Sequence, residues 1–161
     1  MLLLAAASFL LLSGHPRGGA ARSAVVTRVV DGDTVVVRLG GRLERVRLIG
    51  IDTPESVEPG TPVQCYAKAA SAETDRLLGG RRVSLRFDAE RRDRYGRLLA
   101  YVYRRDDGLF VNAALVRRGY ARTLTISPNV AHAALLARLA GDASRHGRGL
   151  WRACEGRAIA E

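Results

Sequence analysis

Aromatic residues make up only 6% of the chain, and it holds two cysteines, one methionine and one tryptophan. So few aromatics argue against an extended platform on which successive bases stack. Cys65 and Cys154 have no Cys-x-x-Cys spacing and no histidine partner nearby, which argues against a thiolate metal centre. His15, His132 and His146 are scattered outside any motif and read as surface or leader residues. Lysine is almost missing, with Lys68 the single one among 26 basic residues. No internal repeat occurs. After Leu12 no segment is long and apolar enough to span a bilayer.

What is present points to one domain. The length is 161 residues and 47% of them are hydrophobic, enough for a compact core. The formal net charge is +10, with 26 basic residues against 16 acidic ones. That excess favours a polyanion, either nucleic acid or an anionic membrane surface. A genome bias toward Arg, Ala and Gly would explain arginine in place of lysine, but not the positive balance. Residues 1–23 read as a signal peptide or leader, residues 24–153 as the domain and residues 154–161 as a tail. Met1 to Leu12 is apolar apart from Ser8 and matches a signal-peptide h-region in length, and small residues follow it. The positive charge that ordinarily precedes such a run is missing. An uncleaved anchor and a mis-assigned start are the alternatives.

The patterning predicts a strand-turn-strand unit, Val25 to Val30 and Thr34 to Leu39 around Asp31-Gly32-Asp33. Arg42 to Ile51 alternates polar with apolar residues and reads as a third strand. Ser56 to Pro62 is a Pro/Gly loop. Gln64 to Leu78 has a helical period ending at Gly79-Gly80. Arg81 to Phe87 and Leu98 to Tyr103 supply two further strands, separated by a charged loop. Val111 to Arg118 and Val130 to Arg145 are helical, and Asn129 is placed to cap the second. Five strands, one internal helix and terminal helices suit a small closed sheet.

The chemistry gathers at three places. Asp31-Gly32-Asp33-Thr34 is an acidic turn. Arg47-Leu48-Ile49-Gly50-Ile51-Asp52-Thr53-Pro54-Glu55 ends a strand in Asp, Thr and Glu. Asp93-Arg94-Tyr95-Gly96-Arg97 is a basic turn. Two acidic turns can build a site for a hard, oxygen-seeking cation. Arginine forks beside it can hold a phosphate and stabilise charge growing on it. Asp31 and Asp93 read as braces of their loops, Gly96 as the turn before Arg97, and Thr34 as a support of the acidic loop. Tyr101 and Tyr103 read as ordinary strand residues.

These motifs, in this order and spacing, resemble the thermonuclease family of staphylococcal nuclease-like domains, from about Val25 to Trp151. Phe110 to Gly119 resembles a helix of that family with no catalytic duty. The resemblance implies an α+β fold: a five-stranded OB-fold barrel with three helices. It implies one Ca²⁺ held by Asp33, Asp52 and the Thr53 carbonyl. Arg47 and Arg97 match its phosphate-gripping positions, and Glu55 its candidate general base, although a carboxylate so close to a cation could instead orient water. Arg94 stands where a substrate-phosphate contact is expected. The implied activity is a secreted Ca²⁺-dependent nuclease acting on DNA and RNA through the phosphate backbone, leaving 3′-phosphates, with no protein partner. Two base-stacking tyrosines of well-known members are missing, because Ala121 to Ser127 contains none. A catalytically silent nucleic-acid-binding module on the same fold is the alternative, and a basic envelope-surface protein a second. In an exported domain the two cysteines, Cys65 and Cys154, suggest one disulfide.

Overall fold

The computed structural model describes residues 21–55 and 63–155. Residues 1–20 of the leader, the Pro/Gly loop at 56–62 and the last six residues lie outside them. Five strands close into a barrel in the order β1-β2-β3-β6-β5. They are β1 (Arg22–Val29), β2 (Thr34–Leu39), β3 (Arg42–Leu48), β5 (Arg82–Arg86) and β6 (Leu98–Arg104). Every pair is antiparallel except β3 with β6, the seam that closes the sheet. Alternation sets the core: Val35, Val37, Val46, Leu48, Val83 and Leu85 point inward and are fully enclosed.

The third strand is shorter than its pattern predicts. It ends at Leu48, and a separate strand β4 (Gly50–Asp52) leaves the barrel. Gly50 sits at φ 78, and a Cβ there would meet the Leu136 side chain at 2.6 Å. A residue free of that Cβ lets the chain turn out against the last long helix. β4 then pairs with β7 (Arg122–Leu124), a three-residue strand that the sequence reading leaves as an irregular stretch.

The helices are α1 (Ala67–Leu78), α2 (Val111–Arg117), α3 (Ala133–Arg145) and the single turn α4 (Leu150–Ala153). The three long ones were expected and α4 was not. α1 begins at Ala67 rather than Gln64, because Tyr66 is left-handed at φ 71 and a right-handed helix cannot run through it. α3 begins at Ala133, after His132, so Asn129 does not cap it. Instead the Asn129 amide accepts from Glu90 N at 2.8 Å and donates to Glu90 O at 3.0 Å, tying two loops together. α2 is buried from Val111 to Val116 and forms the centre of the helical layer. Its Asn112 accepts from Val102 N at 2.9 Å and donates to Ile49 O at 2.8 Å, satisfying backbone where the sheet opens.

His132 is not a simple surface residue. It packs edge-on to Tyr101 at 4.5 Å and beside Phe110 at 4.8 Å, with Nε2 3.3 Å from the Tyr103 hydroxyl. The short turn α4 is anchored to the helical layer. Leu150 is fully buried, its N–H donates to Gly119 O at 2.8 Å, and Arg122 lies over the Trp151 ring. Cys65, just before α1, and Cys154, just after α4, form a disulfide with Cα atoms 5.9 Å apart. No helix among the described residues is long and apolar enough to cross a membrane.

Candidate active site

The acidic loop is the tight connection from β1 to β2. Val30 and Asp31 N–H groups both donate to Thr34 O, and Asp31 Oδ1 accepts from Asp33 N at 3.0 Å. Asp31 therefore braces the turn and aims Asp33. The Asp33 carboxylate is buried but surrounded by donors. Its Oδ2 accepts from Thr53 N at 2.9 Å and Thr53 Oγ1 at 3.0 Å, and Oδ1 from Thr34 Oγ1 at 3.2 Å. Gly32 lets the two loops touch, since a Cβ there would stand 2.6 Å from Thr53 Oγ1. Behind it, buried Thr74 of α1 donates to Gly32 O at 2.6 Å. Burial pushes Asp33 above the usual carboxylate range, with the like charge of Asp52 adding to it, and this outweighs the pull of Arg47 and Thr53. Asp31 is raised too, by burial first and by Asp33 second.

Arg47 links the two acidic turns. It lies on β3 directly opposite Thr34. Its Nη1 donates to Leu48 O and Ile51 O, both at 2.9 Å, and stands 3.1 Å from Asp33 Oδ2. Its Nη2 donates to Asp52 Oδ1 at 2.8 Å. Two carboxylates from strand ends nineteen residues apart thus converge on one guanidinium. Asp33 is enclosed, whereas the Asp52 side chain is 53% exposed. Two carboxylates and neighbouring backbone oxygen are the donor type a hard cation takes. Asp33 and Asp52 converge here and the Asp52 carboxylate is half exposed, so the donor set fits such an ion. Among the described residues no group of three or more His, Cys, Asp or Glu gathers, so solvent or substrate oxygen must complete the shell. Glu55 follows on the same segment. Its N–H donates to Gln64 Oε1 at 2.8 Å, and its carbonyl accepts from Gln64 N at 3.0 Å. Gln64 therefore clamps both ends of the loop at 56–62.

The basic turn is organised by Asp93. Its Oδ1 accepts from Tyr95 N at 3.0 Å and Arg97 N at 2.9 Å, and Oδ2 from Arg97 Nε at 2.7 Å. Burial alone would raise Asp93, but these donors hold it below the usual range. Tyr95 is 68% exposed between two guanidiniums, Arg94 at 4.8 Å and Arg97 at 5.5 Å from its ring. Arg94 also donates to the Tyr95 hydroxyl at 2.6 Å. A cavity of about 400 Å³ lies alongside, lined by Arg47, Arg94, Tyr95 and Arg97 and by the apolar Leu124 and Ile126. The fold thus brings Arg47, Arg94 and Arg97 to one cavity and holds Asp33, Asp52 and Thr53 around Arg47. Asp33, Asp52, Thr53 and Glu55 do not line it.

Four residues escaped sequence reasoning. Tyr95 lies inside the basic motif, and its position between two arginines was the available signal. Gln64 had no signal, because its role depends on closing a loop. Leu124 and Ile126 were seen only as lacking tyrosine.

Comparison with known proteins places the fold in a family. Residues 45–153 match the family described as Staphylococcal nuclease homologue. The chain is 44% identical over 129 residues to the thermonuclease of Staphylococcus intermedius, covering 80% of this chain and 76% of the relative. It is 40% identical over 126 residues to the thermonuclease of Staphylococcus hyicus, covering 78% and 73%. The endonuclease YncB of Bacillus subtilis is 42% identical over 104 residues, 63% of this chain and 48% of that one. With the family match covering more than half of the chain, and two relatives at 40–44% identity over most of their length, this chain is a member of the staphylococcal nuclease family.

Proposed function

We propose that this protein is a secreted, Ca²⁺-dependent nuclease that hydrolyses phosphodiester bonds of DNA and RNA with little sequence specificity. The observation that carries the reading is Arg47, bonded to Asp52, 3.1 Å from Asp33 and opening on a cavity shared with Arg97. Asp33, Asp52 and the Thr53 carbonyl hold the ion. Bound there, Ca²⁺ supplies Lewis-acid polarisation of a phosphoryl oxygen. Arg47 and Arg97 grip the non-bridging oxygens and stabilise the charge they gain in the transition state. Glu55 orients the attacking water and accepts its proton. The water oxygen bonds to phosphorus, the bond to the 5′-oxygen breaks, and that oxygen takes a proton from solvent. Arg94 and Tyr95 position a flanking phosphate. All the groups named above come from one chain, which supports action as a monomer. The disulfide and the apolar leader support export.

Purified full-length protein is to be assayed on single-stranded DNA and RNA after chelation, then with Ca²⁺ or Mg²⁺ restored. Cleavage of both in Ca²⁺, and little in Mg²⁺, is expected, because Mg²⁺ demands strict octahedral geometry and dehydrates reluctantly. Full activity in Mg²⁺ with Ca²⁺ rigorously removed overturns the ion assignment. Binding without cleavage under every condition leaves the silent module as the correct reading.

A further inference from the structure

The outer face of the barrel beyond Arg47 carries a line of arginines that the cleavage site does not use. Directly opposed residues of neighbouring strands share a face. Arg28 of β1 opposes Val36 of β2, and Val36 opposes Arg45 of β3. Arg97 immediately precedes Leu98, the partner of Val46 across the parallel seam, so Arg97 stands one step beyond that ladder beside Arg45. One row therefore runs Arg28, Val36, Arg45, Arg97 and ends in the cavity. Two residues along β2, Arg38 lies on the same face, opposite exposed Leu43. At the usual strand spacing of about 4.8 Å the row covers roughly 14 Å. A single strand stretched beyond the duplex rise of about 3.4 Å per nucleotide would place fewer than about four phosphates along that row.

Charge pairing separates this face from several others. Arg76 and Arg118 are neutralised by Glu73, Arg92 by Glu44, Arg104 by Asp107 and Arg148 by Asp142. Arg28, Arg38 and Arg45 are exposed, and no ion pair or side-chain hydrogen bond engages them among the described residues. Three uncommitted guanidiniums on a rigid sheet, continuous with a phosphate-gripping arginine, complement a polyanionic strand.

We infer that Arg28, Arg38 and Arg45 form a phosphate track that holds the sugar-phosphate backbone of a single-stranded nucleic acid leading away from the cleavage site. The track rests on the proposed nuclease reading and adds to it a footprint several nucleotides long. It favours long strands over short ones and reads no sequence.

The test is the salt dependence of binding, measured in chelator so that nothing is cleaved. The full chain and the Arg28→Gln/Arg38→Gln/Arg45→Gln variant are titrated with a fluorescent oligodeoxynucleotide of about 20 nucleotides. Three lost phosphate contacts should flatten the slope of log K against log salt by about 2 and raise Kd roughly 10- to 100-fold. In Ca²⁺ the same variant should lose kcat/KM on the long strand and keep it on a dinucleotide. Removing three exposed arginines elsewhere, by Arg117→Gln/Arg138→Gln/Arg152→Gln, should flatten the slope much less. Equal effects of the two triple variants, or an unchanged slope, overturn the track. So does weaker binding to phosphatidylglycerol vesicles with DNA binding intact. Failure to cleave in Ca²⁺ bears on the nuclease reading alone, since the slope is read without turnover.

Discussion

Arg97 has two tasks for one guanidinium, and its geometry shows how they divide. Nε bonds Asp93 at 2.7 Å and fixes the turn, which leaves both Nη groups for the cavity. A lysine has one nitrogen and cannot do both. Arg94 instead lies over an exposed tyrosine ring and bonds its hydroxyl. Arg97→Lys should therefore lower kcat by about 10²- to 10³-fold, the usual effect of a lost transition-state donor, while Arg94→Lys should cost less than about tenfold. Steady-state rates on single-stranded DNA decide it, and equal losses would remove Arg97 from the role proposed for it. At this scale the motifs were legible. Asp33, Arg47, Asp52, Thr53, Arg94 and Arg97 were singled out from motifs and the family resemblance they carry, and the fold gathers Asp33, Asp52 and Thr53 around Arg47, which shares a cavity with Arg94 and Arg97. The contacts were not legible. Nothing in the spacing showed that Arg47 bonds Asp52 and stands beside Asp33, or that Gln64 clamps Glu55.

Elements position these residues through a few buried polar ties. Asn112 on α2 satisfies both Val102 N–H and Ile49 C=O, at the place where β3 ends and the chain turns toward Asp52. Asn112→Leu strands two buried backbone groups and should destabilise the protein on the order of 3 kcal/mol in urea unfolding. A loss under about 1 kcal/mol would mean that water replaces the amide. His132 ties α3 to β6 through Tyr101 and Tyr103. Burial pushes its imidazole below the ordinary 6.5, against the opposing charge of Asp88 and with Arg86 adding to the fall. The unfolded chain therefore binds the proton more readily than the folded one. His132 contributes full stability above its unfolded pKa of about 6.5, and the contribution is lost as pH falls through the lower folded pKa. Thermal unfolding followed from about pH 8 to pH 5 should show this loss, and His132→Phe should flatten it. A variant with the wild-type pH slope would show that other groups govern this range. The sequence offered no hint of this tie, because an isolated histidine carries no periodic signal.

Across the whole molecule the Cys65–Cys154 bond encloses 89 residues of sequence separation and joins the start of α1 to the end of α4. In the chain-entropy account a loop of that size contributes up to about 4.5 kcal/mol. Cys65→Ser/Cys154→Ser should shift the urea midpoint downward by a corresponding amount. Reductant should do the same to the wild type and leave the variant unchanged. A midpoint insensitive to both changes would show that α4, through Leu150, holds this end unaided. The net charge of +10 acts at the same scale. It draws in polyanions from a distance, while pairing with acidic residues decides which arginines stay available to hold one.

By itself the sequence determined the five strands of the barrel, the three long helices and the two acidic turns and the basic turn. Each of these rests on local signals: alternation at period two, a helical period, Asp-Gly turns and arginines beside them. Tertiary structure alone decided the rest. The three-residue strands β4 and β7 are too short to carry a pattern and exist because they pair with each other. Gly50 breaks the third strand because Leu136, 86 positions away, leaves no room for a Cβ. Asn129 turns from a helix cap to a loop tie because Glu90 presents both backbone groups to it. Among 25 arginines, Arg47 alone lies on β3 opposite Thr34, and that register places it between Asp33 and Asp52. Such choices depend on which distant segments meet, and a residue's neighbours in the chain carry no record of its neighbours in space.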